Sequence, residues 1–214
     1  MSKPPPLTSR DDVEIEGVRP VWEGRFTLDL VRFRNRRFDG TRADSREWEL
    51  WRRGRAAAVL PYDPVRDVVV LIEQFRVSAF AAGFDPVMVE IPAGMCDGDE
   101  TAEATIRREA QEEMHLGVST LLPIGDFLLS PGGCDERCAI FAGRIVAPAA
   151  GADGVIGGGG LASEQEDLRV RLCPAEEAIG RALAGAYPNS VTTIALLWLA
   201  ANRERLRREW GSGG

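Results

Sequence analysis

The chain predicts an α+β fold, in which a group of short N-terminal strands precedes a larger unit of strands and amphipathic helices. Three observations carry that prediction. Residues 13–51 alternate short apolar runs with charge, the two-residue period of half-buried antiparallel strands. Apolar runs at 55–61 (RAAAVLP) and 68–75 (VVVLIEQF) are joined by the turn-like YDPVRD, which reads as a hairpin. Ala102, Ile106, Ala110 and Met114 then recur every four residues, and one apolar stripe at that spacing marks a helix facing a core.

Taken in order, the start MSKPPPLTSRDD holds no apolar stretch and so reads as no secretory signal. The 13–51 strands are too short to bury a core alone. They are expected to pack on the following domain or on a second copy of the chain, with a plain extension of the same subunit's sheet as the alternative. We therefore expect residues 1–52 to form a dimerisation subdomain and 53–214 the main domain. The second hairpin strand delivers Glu73 and Arg76 to one end. Residues 87–91 (VMVEI) form another strand, which enters Pro92-Ala93-Gly94. Thr101 is placed to cap the following helix, with Glu103 in its first turn. Strands near 121–129 and 137–146 come next, joined by Ser130-Pro131-Gly132-Gly133, either a hairpin turn or a backbone open enough to approach a ligand. The Gly- and Ala-rich stretch 147–163 is expected to hold no regular element. As a long loop it is either a lid or an idle insertion. It ends in Glu164-Gln165-Glu166-Asp167, just before a strand at 168–172. A helix opening at Pro174 and a long amphipathic helix over 190–207 close the chain.

Composition narrows the functions. A chain of 214 residues with 44% hydrophobic and 28% charged residues reads as an ordinary globule with one good core. No apolar run reaches the roughly 18 residues of a spanning helix, so no membrane contact and a cytoplasmic location are expected. Cys96, Cys134, Cys138 and Cys173 are scattered and His115 is the sole histidine, which argues for reduced thiols and against a closed zinc site. A net charge of −7 argues against non-specific nucleic-acid binding. The arginines over 203–208 read as a solvated helix face.

On the 102–114 helix, Glu109 and Glu113 fall about 40° apart and Glu112 about 60° to the other side of Glu109. Three carboxylates on one face repel one another and ask for a cation. Arg107 and Arg108 can neutralise part of the charge. A hard divalent ion such as Mg²⁺, carrying a diphosphate beside a Gly-containing loop, also satisfies the pattern. So does a solvated acidic helix, if charge spacing is the only guide.

The order of residues says more. Gly94, five residues, Glu100, seven residues, then Arg108-Glu109-Ala110-Gln111-Glu112-Glu113 closely resembles the Nudix box. The family's glycine two positions after the last glutamate is His115 here, and Gly117 follows two residues later. The resemblance implies a Nudix fold, a mixed β-sheet sandwiched between helices, and metal-assisted hydrolysis of a nucleoside diphosphate linked to another group. LPYDPVRDVVVLIEQFR, EIPAG, SPGGCDER, LASEQEDLRV and IALLWL extend the likeness over nearly the whole chain, to the family's bacterial ADP-ribose diphosphatase branch.

Carried over residue by residue, the Ala93 carbonyl, Glu109 and Glu113 would hold Mg²⁺, or Mn²⁺ in its place, with Glu166 as a further metal or water ligand. Glu164 would be the catalytic base, and Glu112 assists or is its rival. Arg76 would contact a substrate phosphate. Ser130 and Glu136 would lie on the ribose side. Where the branch can place a substrate arginine, this chain has Trp48 with Arg46 and Arg52 nearby. The branch further implies a homodimer with swapped N-terminal strands. The implied reaction is ADP-ribose to AMP and ribose 5-phosphate; the alternatives are a diphosphatase of GDP-mannose or another nucleotide sugar, and a sensor that binds ADP-ribose without cutting it.

Overall fold

The computed structural model describes residues 10–160 and 166–211, which cluster into two units, one of residues up to Gly54 with Leu128–Glu136 and one of the remainder. In the first, a single 3-10 turn, Arg10–Asp12, leads into β1 (Val13–Glu23), β2 (Thr27–Asn35) and β3 (Arg46–Arg52), antiparallel in that order. Pro20, which has no N–H for the ladder, sits where the β1 register shifts by a bulge between Pro20 and Trp22. This unit is tied by polar and ring contacts more than by a core. All of β1 is exposed. Arg53 stacks 4.1 Å from the Phe26 ring and 4.9 Å from Trp51 while its guanidinium reaches both oxygens of Glu136 at 3.1 and 3.2 Å.

The second unit is a mixed sheet with helices on both faces. It contains β4 (Arg55–Asp63), β5 (Val68–Phe75), α1 (Val77–Ala81), β6 (Val87–Glu90), β7 (Ala93–Met95), α2 (Ala102–Met114), β8 (Thr120–Leu128), β9 (Arg137–Arg144), β10 (Val155–Gly159), β11 (Leu168–Pro174), α3 (Ala175–Leu183) and α4 (Ser190–Gly211). Strand order is β10-β11-β5-β4-β9-β8, with β6 on β5 and β7 on β4. The β4–β5 hairpin pairs only at Tyr62–Val69 and Asp63–Val68. Beyond the turn, β4 takes β9 in parallel along Arg55–Tyr62 and β7 along Ala56–Ala58, while β5 takes β11 and β6. Strand alternation then sorts the faces. Val70 and Ile72 pack with Ala110 and Met114 of α2, and Ala57 and Val59 with Ile106. The expected α2 stripe is therefore the buried one, apart from the half-buried Ala102 at its start. On the other face α4 buries Leu196, Leu199 and Leu206 completely, and Tyr62 sends its hydroxyl to Asp67, which Arg203 of α4 also grips. Among the described residues no helix is long and apolar enough to cross a membrane.

Three expectations are corrected. The 147–163 stretch does hold a regular element, because β10 pairs antiparallel with β11 at the sheet edge. Its glycines were read as flexibility; Gly154 and Gly159 serve close approach, since backbone pressed against a neighbour leaves no room for side chains. The arginines over 203–208 are not merely a solvated face, because Arg203 and Arg207 both bond Asp67. Arg107 does not help neutralise the glutamates: its guanidinium donates to the Val118 carbonyl. Helix α1 and strand β7 were not foreseen, and α4 runs past the expected end at 207.

Candidate active site

Helix α2 begins where Thr101, in an extended conformation, accepts the Ala104 N–H on its hydroxyl at 3.2 Å. It ends at His115, whose φ of 57° is left-handed. A glycine takes that conformation freely, whereas a histidine carries a steric cost. The helix exit is thus formed in the ordinary left-handed way without the usual residue.

Between those ends Arg108 is the hub. Its Nη1 donates to Glu109 Oε1 at 2.8 Å and Glu112 Oε2 at 3.0 Å. Its Nη2 donates to Glu100 Oε2 at 3.1 Å and the Met95 carbonyl at 3.3 Å. Hydrogen bonding by Arg108, then by the Thr105 hydroxyl, holds Glu100 down at about 2. This explains the position of Glu100 eight residues before Arg108: it anchors the guanidinium that neutralises the next turn.

Glu113 stands apart from that hub. It is 3% exposed, and Oε2 accepts the Ala93 N–H at 3.2 Å. Burial first, then the charges of Glu109 and Glu166, push its carboxyl up to about 8. Burial also raises Glu109, against the pull of Arg108. Two backbone approaches shape the pair. A Cβ on Gly94 would stand 1.7 Å from Glu109 Oε1, so a side chain there would displace that carboxylate. A Cβ on Gly159 would stand 1.7 Å from the Glu113 carbonyl oxygen, and Gly160 N–H donates to Glu112 O at 3.2 Å. Strand β10 is therefore laid across the last turn of α2.

Arg76, at the end of β5, is not loose. It donates to Glu90 Oε2 from Nε and Nη2 at 3.0 and 2.7 Å. Glu90, 5% exposed, accepts Asn189 Nδ2 on its other oxygen at 2.7 Å. Asn189 also accepts Thr192 N–H, and Thr192 Oγ1 accepts Ile91 N–H at 3.0 Å. The start of α4 thus fixes the strand that leads to Ala93. Sequence reasoning missed Glu90 and Asn189; the acid inside the apolar run VMVEI was the signal available.

The structure brings Ala93, Glu109, Glu112 and Glu113 together, with Glu166 close enough to act on Glu109 and Glu113 electrostatically. Glu164 lies outside the described residues. Arg52, Ser130 and Glu136 belong to the other unit. There Arg52 donates to Asp29 Oδ2 at 2.8 Å and Asp135 Oδ2 at 3.2 Å, the Ser130 carbonyl accepts the Cys134 N–H, and Glu136 holds Arg53. Trp48 donates its indole N–H to the Gly132 carbonyl at 2.8 Å, fixing the 130–133 turn.

A divalent cation suits the α2 cluster on chemical grounds. It offers hard oxygen donors, and the burial and like charge that push the Glu113 carboxyl up are what a cation there would offset. Among the described residues no three His, Cys, Asp or Glu side chains already form a metal cage; Arg108 is the counter-ion of Glu109 and Glu112 in this conformation.

Helices lie on both faces of the mixed sheet, and the acids of α2 converge beneath the backbone at Gly94. A NUDIX domain model matches residues 52–196, and the chain belongs to that family. It is 42% identical over 206 residues, 96% of each chain, to a protein of Escherichia coli (strain K12) named ADP-ribose pyrophosphatase. It is 33% identical over 171 residues, 78% of this chain and 86% of the other, to one of Salmonella arizonae named GDP-mannose pyrophosphatase. A crystal structure described as that of an ADP compounds hydrolase shares the fold, with a TM-score of 0.66, 21% identity and coverage of 96% and 98%.

Proposed function

We propose that this chain is a divalent-metal-dependent hydrolase that cuts the diphosphate of ADP-ribose to AMP and ribose 5-phosphate. The observation that carries this reading is Glu113, a buried acid facing Glu109 and Glu166. The full-length likeness to a protein named for ADP-ribose favours that substrate over GDP-mannose, for which the likeness covers less of the chain.

In this reading the Ala93 carbonyl, Glu109, Glu113 and Glu166 would hold Mg²⁺, with Mn²⁺ able to replace it. A divalent ion held there would supply neutralising charge for the diphosphate oxygens and a lowered pKa for a water. Glu164 takes the proton of the attacking water as its oxygen bonds to phosphorus and the bridging P–O bond breaks; Glu112 assists. Arg76 contacts a phosphate, with Glu90 holding its orientation. Arg52, Ser130 and Glu136 contribute substrate contacts from the N-terminal side. The exposed length of β1 supports pairing with a second copy, so the working form is a homodimer with exchanged N-terminal strands, acting in the cytoplasm on a small molecule.

A panel of ADP-ribose, GDP-mannose and other nucleotide sugars, with Mg²⁺, Mn²⁺ or chelator, tests the proposal. AMP and ribose 5-phosphate from ADP-ribose, only with metal, are expected. Preferred turnover of GDP-mannose, or binding without cleavage, would replace it.

A further inference from the structure

Asn189, the residue before α4, uses both halves of its side-chain amide. Its Oδ1 accepts the Thr192 N–H at 2.9 Å and its main-chain carbonyl accepts the Thr193 N–H at 3.1 Å, which makes it the N-cap of the helix. Capping needs only the acceptor, and serine or aspartate supplies one as well as asparagine does. The donor half is left over from that task. It is directed at Glu90, whose Oε1 accepts Nδ2 at 2.7 Å.

Glu90 is 5% exposed, and a buried carboxylate needs donors on its oxygens. Arg76 occupies Oε2 through Nε and Nη2, at 3.0 and 2.7 Å, while Asn189 occupies Oε1. The last torsion of a glutamate is intrinsically soft. With each oxygen tied to a different partner, that torsion cannot turn without breaking a contact, so the plane of the carboxylate is set by the amide. The guanidinium in front of it stays accessible. The Arg76 side chain is 41% exposed, its charge reaches Glu113, and its Nη1 makes no hydrogen bond among the described residues. A guanidinium gripped along one edge and open along the other is set to receive an oxyanion.

We propose that Asn189 is a positioning residue for the substrate's diphosphate: its Nδ2 fixes the Glu90 carboxylate, and thereby the direction in which Arg76 meets a phosphate oxygen. This rests on the reading of the chain as a diphosphate hydrolase in which Arg76 contacts a phosphate. Asn189 itself touches no reacting atom, so its whole effect passes through Arg76.

The test uses the full-length chain with Asn189→Ser or Asn189→Asp, each made with Arg76 present and with Arg76→Ala, and assayed on ADP-ribose with Mg²⁺. Both substitutions keep the capping acceptor and remove the donor; aspartate also sets a second carboxylate against Glu90. With Arg76 present, kcat/KM is expected to fall about tenfold for Asn189→Ser and further for Asn189→Asp, whereas a role in capping alone predicts three equal enzymes. With Arg76→Ala, neither substitution should lower kcat/KM again, because residues that act as one unit are not additive. Equal kcat/KM for all three with Arg76 present overturns the proposal. So does the same fold-loss in both backgrounds, which would leave Asn189 with a structural role only, and so does undiminished activity of Arg76→Ala alone. A readout independent of turnover, needed if Arg76→Ala does not fold, is solvent exchange at the Arg76 Nε–H followed by NMR: Asn189→Ser should accelerate it, and an unchanged rate overturns the proposal. If the wild type cleaves no nucleotide sugar, it is the hydrolase reading that has failed; calorimetric titration with ADP then decides for Asn189, with affinity about tenfold weaker in Asn189→Ser if it orients a phosphate-binding arginine, and an unchanged Kd overturning that role.

Discussion

Gly159 lies directly against Glu113: a methyl group on the one would stand 1.7 Å from the carbonyl oxygen of the other. A sheet-edge strand and the last turn of α2 therefore share one packing surface. Gly159→Ala must push β10 away, and it is expected to cost about 1–3 kcal/mol together with activity. Gly180→Ala is the control. It lies inside α3 with open space around its Cβ position and should stabilise by about 0.5–1 kcal/mol. Chemical denaturation of both variants checks this; an unaffected Gly159→Ala would refute the contact.

Glu113→Gln should retain the fold and lower turnover by about 10² to 10⁴. Its second signature is thermodynamic. Mg²⁺ should raise the melting temperature of the wild type by binding the native state, and this shift should shrink or vanish in the variant. Wild-type turnover at saturating Mg²⁺ would remove Glu113 from the site.

His115→Gly relieves a left-handed residue at the end of α2, and a gain of about 1 kcal/mol is expected. His115→Val should lose stability, because a β-branched residue tolerates that conformation least. Urea midpoints decide, and equal midpoints for all three would show that the left-handed exit is not held.

Asp67 provides the pH prediction. The Arg203 guanidinium, with help from the Tyr62 hydroxyl, holds its carboxyl below the usual 3.8 against the opposing effect of burial. A depressed folded-state value stabilises the fold above 3.8, and that stability is lost as pH falls through the folded value. Asp67→Asn keeps a residue suited to the φ of 56° and should cost about 2 kcal/mol at neutral pH. The gap should close under acid. Denaturation at stepped pH measures it, and a gap constant with pH would discount the ion pair.

What could be read in the sequence was periodic or ordered. The stripe of Ile106, Ala110 and Met114 announced α2 because helical spacing is local, and the box spacing announced its acids. Strand β10 could not be read, because Val155–Gly159 has the composition of a flexible loop and becomes a strand only by lying on β11 and α2. Helix α1 has only five residues, too few for a period. Gln74 resembled any strand residue, because its burial depends on β6 and β11 lying beside β5. Glu90 was hidden for a similar reason: its partner Asn189 is 99 residues away.

That distance bears on how the protein is made. During synthesis Arg76 and Glu90 leave the ribosome early, and their mutual pair spans only 14 residues. The other oxygen of Glu90 and the N–H of Ile91 wait for Asn189 and Thr192, 99 and 101 residues later. A nascent chain that has completed β4 to β11 therefore still lacks the clamp behind Arg76. That bracing arrives only with the final helix, so a product terminated before Asn189 lacks the partners of Glu90 and Ile91.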